Sequence, residues 1–265
     1  MKNFKFPLLL VVLISILNFS CSKNDDVATI VAPPVATNLP NPALPIVIKN
    51  ITSTVTNGFN YKTFYQEIAN TSNRKGLIIL AHGDGSNSND GLLNEQCTAL
   101  AHEGYVAITT SYRAPAFVNA LVDSESFKQD MESIVTAASA LYTIPVNKTI
   151  VGGLSRGGNL AFNMFLPAGL YGSPTTLNLK GAILQCAGGD NYKGSVMLKQ
   201  VSFMSNKTDN VVGTDAIAFK NGLSANANTT VKTLSECYIV DSNGHCTNAS
   251  EYKAFLVRKV KEWLP

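Results

Sequence analysis

The sequence has no run of lysine and arginine, no two cysteines in CxxC spacing, no apolar stretch of about 20 residues and no internal repeat. Each lack removes a class of function. Without a clustered basic face there is nothing to bind a phosphate backbone, so no nucleic-acid partner is expected. Without closely spaced cysteines there is no sequential zinc motif, and five cysteines in 265 residues are too few for a disulfide scaffold. A span of the membrane needs about 20 apolar residues, more than any run here supplies. Charge is also scarce, at 15% of residues against 45% hydrophobic, which excludes a long disordered chain and predicts one sizeable buried core.

The amino terminus has its own pattern. Lys2 and Lys5 precede an apolar run from Phe6 to Leu17, then Asn18-Phe19-Ser20-Cys21. A basic start, a short apolar centre and a small residue before a cleavage point make an export signal over residues 1–20. Ser20-Cys21 followed by Ser22-Lys23-Asn24-Asp25-Asp26 resembles a bacterial lipoprotein signal, which implies acylation of Cys21 and attachment to the membrane through that lipid. One position departs from the usual lipobox: Asn18 stands where leucine is common, with Leu17 one step further away. The expected location is the bacterial cell envelope, lipid-anchored at the outer membrane or cell surface, with secreted or periplasmic protein as the alternative. Taking Lys2 and Lys5 from the 21 basic residues leaves 19 against 18 acidic, close to neutral. Pro33, Pro34, Pro40, Pro42 and Pro45 among small residues predict a flexible tether over 21–45, and the catalytic domain over 46–265.

Beyond the tether, alternation predicts strands over Ile46 to Val55 and Tyr61 to Ile68, joined at Asn57-Gly58. The continuous apolar run Leu77 to Ala81 reads as a buried parallel strand, and it ends in His82-Gly83-Asp84-Gly85. Further strands are expected at Tyr105 to Thr110, Thr149 to Val151, Gly181 to Cys186, Val201 to Ser205 and Val231 to Val240. Helices are expected over Asp90 to Glu103, Ser124 to Tyr142 and Ala249 to Leu264. Strand and helix alternate, so the class is α/β, a mainly parallel twisted sheet with helices on both faces. No large cap domain is expected, because neither Pro167 to Leu179 nor Ala187 to Gln200 is long enough to build one.

Gly153-Leu154-Ser155-Arg156-Gly157-Gly158 lies between the strand ending near Val151 and a helix with Leu160, Ala161, Met164 and Phe165 on its apolar stripe. A serine on so tight a turn tolerates only small neighbours two places away, and its hydroxyl projects free at a helix N-terminus. Serine needs a base, and the chain has three histidines. His82 ends a strand beside Gly83 and reads as a structural or oxyanion-loop residue, whereas His102 reads as a solvated helix-end residue. His245, after Gly244 and before the last helix, lies on a loop at the same sheet edge as Ser155. For the orienting acid, Asp209 follows the strand from Val201 to Ser205, and Asp190, beyond the preceding strand, is its competitor.

With Ser155, Asp209 and His245 in that chain order, the sequence from about Ile46 resembles the α/β-hydrolase superfamily, specifically its compact dienelactone-hydrolase-like, polyester or carbohydrate-ester hydrolases. That resemblance implies an exported serine esterase working through an acyl-enzyme, with no cofactor and no metal. It implies an oxyanion hole from the backbone N–H of Arg156 and of Asp84 or Gly83, with Asp84 departing from the commoner all-glycine loop. The implied partner is an ester substrate, polymeric or carbohydrate-linked. A peptidase or amidase of the same fold, or a non-catalytic binding lipoprotein, is the alternative; oligomeric state is not legible. The resemblance also places Cys186 and Cys246 at the catalytic end, implying one bridge between them that pins the histidine loop, with Cys97 and Cys237 reduced.

Overall fold

The computed structural model describes residues 40–52, 60–113, 120–169, 171–213 and 215–265. Cys21, the leader, most of the tether and the Asn57-Gly58 turn lie outside the described residues. Eight strands form one sheet: β1 (Val47–Thr52), β2 (Asn60–Tyr65), β3 (Leu77–Ala81), β4 (Val106–Thr110), β5 (Thr149–Leu154), β6 (Gly181–Gln185), β7 (Val201–Thr208) and β8 (Cys237–Asn243). Among the described residues seven helices accompany them: α1 (Gly91–His102), α2 (Ala120–Tyr142), α3 (Ser155–Asn163), α4 (Asn191–Val196), α5 (Asp215–Ser224), α6 (Thr229–Leu234) and α7 (Ala249–Trp263).

The strands lie in the order β1-β2-β4-β3-β5-β6-β7-β8. β1 pairs antiparallel with β2 and β2 with β4, and every other pairing is parallel. All ends of β3 to β8 that point the same way therefore share one edge, the carboxyl edge, where the site residues collect. The apolar runs explain the layering. Leu77, Ile79 and Ala81 of β3 pack with Phe127, Met131 and Ile134 of α2 and with Leu160 of α3. Ile78 and Leu80 face the other way, onto Leu93 and Leu100 of α1 and Phe255 and Leu256 of α7. A strand buried on both faces has no polar side to alternate with, so it reads as an unbroken run.

One element differs from its sequence reading. Val231 to Val240 is not a single strand: Thr229–Leu234 is helix α6, and the strand begins at Cys237. The expected strand opens at Val231, but the Asn228 side chain accepts from the Val231 N–H and starts a helical turn. The fold also begins earlier than Ile46. The Asn41 N–H donates to Gln66 and the Gln66 amide donates back to the Asn41 carbonyl. A side chain on Gly104 would collide with Pro40 at 2.0 Å, so Pro40 lies flat against the body.

Candidate active site

β5 passes into α3 without an intervening residue, and Ser155 is the first residue of the helix. Its φ of +47° is left-handed, a conformation that costs a non-glycine residue roughly 1–2 kcal/mol. The two flanking glycines make the turn possible. A Cβ on Gly153 would sit 2.4 Å from the Ala81 carbonyl, and one on Gly157 would sit 2.3 Å from that of His82. The end of β3 thus lies directly against the turn and excludes any larger residue at either place. It also brings Gly83 next to Ser155, where an added Cβ would be 3.2 Å from that of Ser155.

Three loops of the carboxyl edge converge on Ser155. Its hydroxyl lies 2.8 Å from His245 Nε2. His245 Nδ1 lies 2.9 and 2.8 Å from the two oxygens of Asp209, so the Nδ1–H donates to the carboxylate and leaves Nε2 as the acceptor for the serine proton. Asp209 is buried at the end of β7, and its Oδ1 also accepts from the backbone N–H groups of Val211 and Val212. Those bonds hold the carboxylate on a fixed aim. The histidine loop is anchored by Asn206 of β7, which is buried and donates to the Gly244 carbonyl at 2.5 Å and to Thr247 Oγ1 at 2.9 Å. Cys186, after β6, is joined to Cys246 by a disulfide, with Cα atoms 5.4 Å apart.

The remaining sequence candidates separate cleanly. His82 Nδ1 faces the carbonyl of its neighbour Gly83, and the ring stacks on Tyr112 with centroids 4.5 Å apart, while the Tyr112 hydroxyl donates to the His82 carbonyl. His82 thereby shapes the loop that carries Gly83 and Asp84. His102 ends α1. Asp190 caps α4, where its Oδ1 accepts from the Lys193 N–H, and it does not meet His245. Cys97 is a buried free thiol and Cys237 a free thiol whose Sγ donates to the Ala216 carbonyl.

Asp84 and Arg156, read in the sequence for their backbone N–H groups, are also tied by their side chains. The Arg156 guanidinium lies 3.0 Å from Asp84 and 2.7 Å from Asp123 of α2. This cation clamps the loop after β3 to the residue after Ser155 and fixes both to a helix on one face of the sheet. Sequence reasoning missed Asp123 and Asn206. Asp123 carries no signal, since it meets Arg156 only through the packing of α2. Asn206 does leave a trace, as a polar residue directly continuing the apolar run of β7.

No family model matches the chain, and no curated protein matches it by sequence. Solved structures do match in shape. A Klebsiella pneumoniae protein classed as a dienelactone hydrolase superposes with a TM-score of 0.60 at 15% identity, covering 83% of this chain and 98% of that one. Thermogutta terrifontis esterase 2 with propionate bound gives 0.64 at 16%, covering 81% and 93%. Esterase B from Lactobacillus rhamnosis gives 0.59 at 14%, covering 83% and 88%. Likenesses at this identity carry the fold alone, and with the strand order and the strand-to-helix turn at Ser155 they establish that this chain has the α/β-hydrolase fold.

Proposed function

We propose that the protein is a serine hydrolase of carboxylic esters. The observation that carries this reading is the unbroken hydrogen-bonded line from Asp209 through His245 to Ser155. In the proposed route His245 Nε2 takes the Ser155 proton as Oγ attacks the ester carbonyl. The oxyanion that forms is held by the backbone N–H of Arg156 and one from Gly83 or Asp84, and the α3 N-terminus adds its dipole. Asp209 holds the ring in one tautomer and balances the imidazolium. The tetrahedral adduct then collapses, the alcohol leaves with the proton from His245, and water, activated by the same nitrogen, releases the acid. The names of the similar structures, esterases and a dienelactone hydrolase, favour an ester over an amide as substrate. Within this reading the protein is exported under the 1–20 leader, acylated at Cys21 and set off from the membrane by the Pro-rich segment that precedes Pro40, where it meets polymeric or carbohydrate-linked esters.

Hydrolysis of chromogenic esters of increasing acyl length, run beside the matching anilides, tests the proposal. Ester turnover should exceed anilide turnover and fall by roughly 10⁴ or more in Ser155→Ala with the fold intact. Near-normal ester hydrolysis by Ser155→Ala overturns it, and preferred anilide cleavage turns the reading to a peptidase or amidase.

A further inference from the structure

The disulfide beside His245 places three metal-binding residues together. One ligand atom from each of Cys186, His245 and Cys246 lies within 4.8 Å of the others. Zinc bonds of about 2.3 Å to sulfur and 2.0–2.1 Å to nitrogen put the ligand atoms of a tetrahedral site roughly 3.5–3.8 Å apart. A ring nitrogen of His245 already lies within 4.8 Å of both sulfurs, and reduction lets the two sulfurs part from bonding distance to the tetrahedral spacing. While the sulfurs are bonded to each other neither is a thiolate, and no such site exists. We propose that reduction of the Cys186–Cys246 bridge creates a Cys2His site for zinc, and that zinc bound there takes His245 out of its line with Ser155 and Asp209.

The chemistry balances simply. Two equivalents of an external thiol, or one phosphine with one water, reduce the bridge to two thiols and leave as a disulfide or a phosphine oxide. Zn²⁺ then displaces both thiol protons to solvent and takes a lone pair from one ring nitrogen of His245. Binding through Nε2 uses the lone pair that accepts the Ser155 proton. Binding through Nδ1 expels the proton donated to Asp209. Either way the base is lost. The sulfurs are held near each other by more than their own bond: the Cys186 N–H donates to the Met204 carbonyl at 2.8 Å, and Asn206 anchors Gly244 beside the histidine. Cys246 is only partly buried, which gives a reductant an approach to the bridge. The two other described thiols do not compete: burial pushes the Cys97 thiol well above its ordinary range and the Cys237 thiol up to about 12.

The metal site stands on its own geometry, while its effect on turnover rests on the proposed triad, so the two are read separately. Cobalt(II), added alone as the probe, reports thiolate ligation by its sulfur-to-metal charge-transfer band. Oxidised protein should show no such band. After treatment with a trialkylphosphine, with two additional thiols titrated in denaturant, one equivalent of cobalt should produce it. Cys186→Ala should abolish it, and His245→Gln should weaken cobalt binding by about tenfold or more, since losing a ligand costs at least as much as losing a group that only orients one. Zinc should then inhibit ester turnover of the reduced enzyme, reversibly on chelation, and leave the oxidised enzyme untouched. No band in fully reduced wild type, a band that survives in Cys186→Ala, or one unaffected by His245→Gln overturns the site. Ester hydrolysis that persists in reduced, zinc-loaded protein overturns its action on the base. Absence of any hydrolysis with the cobalt band present refutes the esterase reading, and with it the switch, while the metal site stands.

Discussion

The two edges of the parallel sheet handle charge and backbone strain in opposite ways. At the carboxyl edge, Arg156 bridges Asp84 and Asp123 with its side chain 9% exposed and that of Asp123 5% exposed. At the amino edge, Arg258 and Lys259 of α7 meet Glu236, just before β8, and Glu262; Arg258 is 46% and Glu262 44% exposed, and only Lys259, at 7%, is buried. Of the four non-glycine residues with positive φ among the described residues, Ser155, Cys186 and Cys246 sit at the carboxyl edge, while Thr143 lies in the approach to β5. Strained backbone persists only where its surroundings over-determine it. The carboxyl edge is thus fixed in a costly arrangement that a merely stable protein would not need, whereas the amino edge keeps ordinary backbone around an ionic cluster whose Arg258, Glu236 and Glu262 are partly solvated and whose Lys259 is buried.

The carboxyl edge is most sensitive at Asp209. Replacing it by asparagine keeps the shape but removes the charge and the tautomer control over His245, so turnover should drop by roughly 10⁴. Asp190→Asn, on the neighbouring loop, should stay within about twofold, because asparagine caps a helix as well as aspartate does. Steady-state ester kinetics on the two purified variants decide the matter, and the reverse ranking would falsify the assignment of the acid.

The clamp at Arg156 sharpens the contrast. Arg156→Ala keeps the backbone N–H that the proposed oxyanion hole uses and removes only the cation. Asp123 is then buried without its partner, and its Oδ1 already has no hydrogen-bond partner among the described residues. Loss of one member of a buried pair costs about 3 kcal/mol or more, to be measured by denaturant unfolding. Turnover should fall about tenfold, less than the 10²–10³ expected for losing an oxyanion donor outright, since the donor remains but is less firmly placed. The change should appear in kcat rather than KM, with Arg156→Lys recovering part of it. An unchanged kcat in a folded Arg156→Ala would reduce the clamp to a structural pair.

What could be read in advance divides along the same line. The turn at Ser155 was legible because its constraints are local: glycine two places before and after, a buried run ahead and a helical stripe behind. His245 followed from having three histidines to choose among, and Asp209 from standing just past a strand end. The clamp was not legible, since Arg156 and Asp123 are 33 residues apart and no sequence spacing relates α2 to α3. Helix α6 falls inside the expected strand because its start depends on the Asn228 side chain accepting from the Val231 N–H, a local bond that a run of apolar residues does not reveal.

The smallest effect is expected at the amino edge. The Arg258 guanidinium beside Glu236 holds its carboxyl below the usual glutamate range, and Lys259 does the same for Glu262. A carboxyl whose folded value is depressed contributes stability that is present above its unfolded value, about 4.3, and fades as the pH falls through the folded one. Glu236→Gln should therefore cost up to about 1 kcal/mol at neutral pH, since the carboxylate is partly solvated and screened. The difference from wild type should narrow steadily below about pH 4 and shrink in 1 M salt, where the screening length is about 3 Å. Ester turnover should not change, because no part of this cluster reaches the carboxyl edge. Urea unfolding of both proteins at neutral and acid pH measures it. A difference that survives full protonation would assign the loss to packing rather than charge, and a fall in turnover would show that the two edges are coupled.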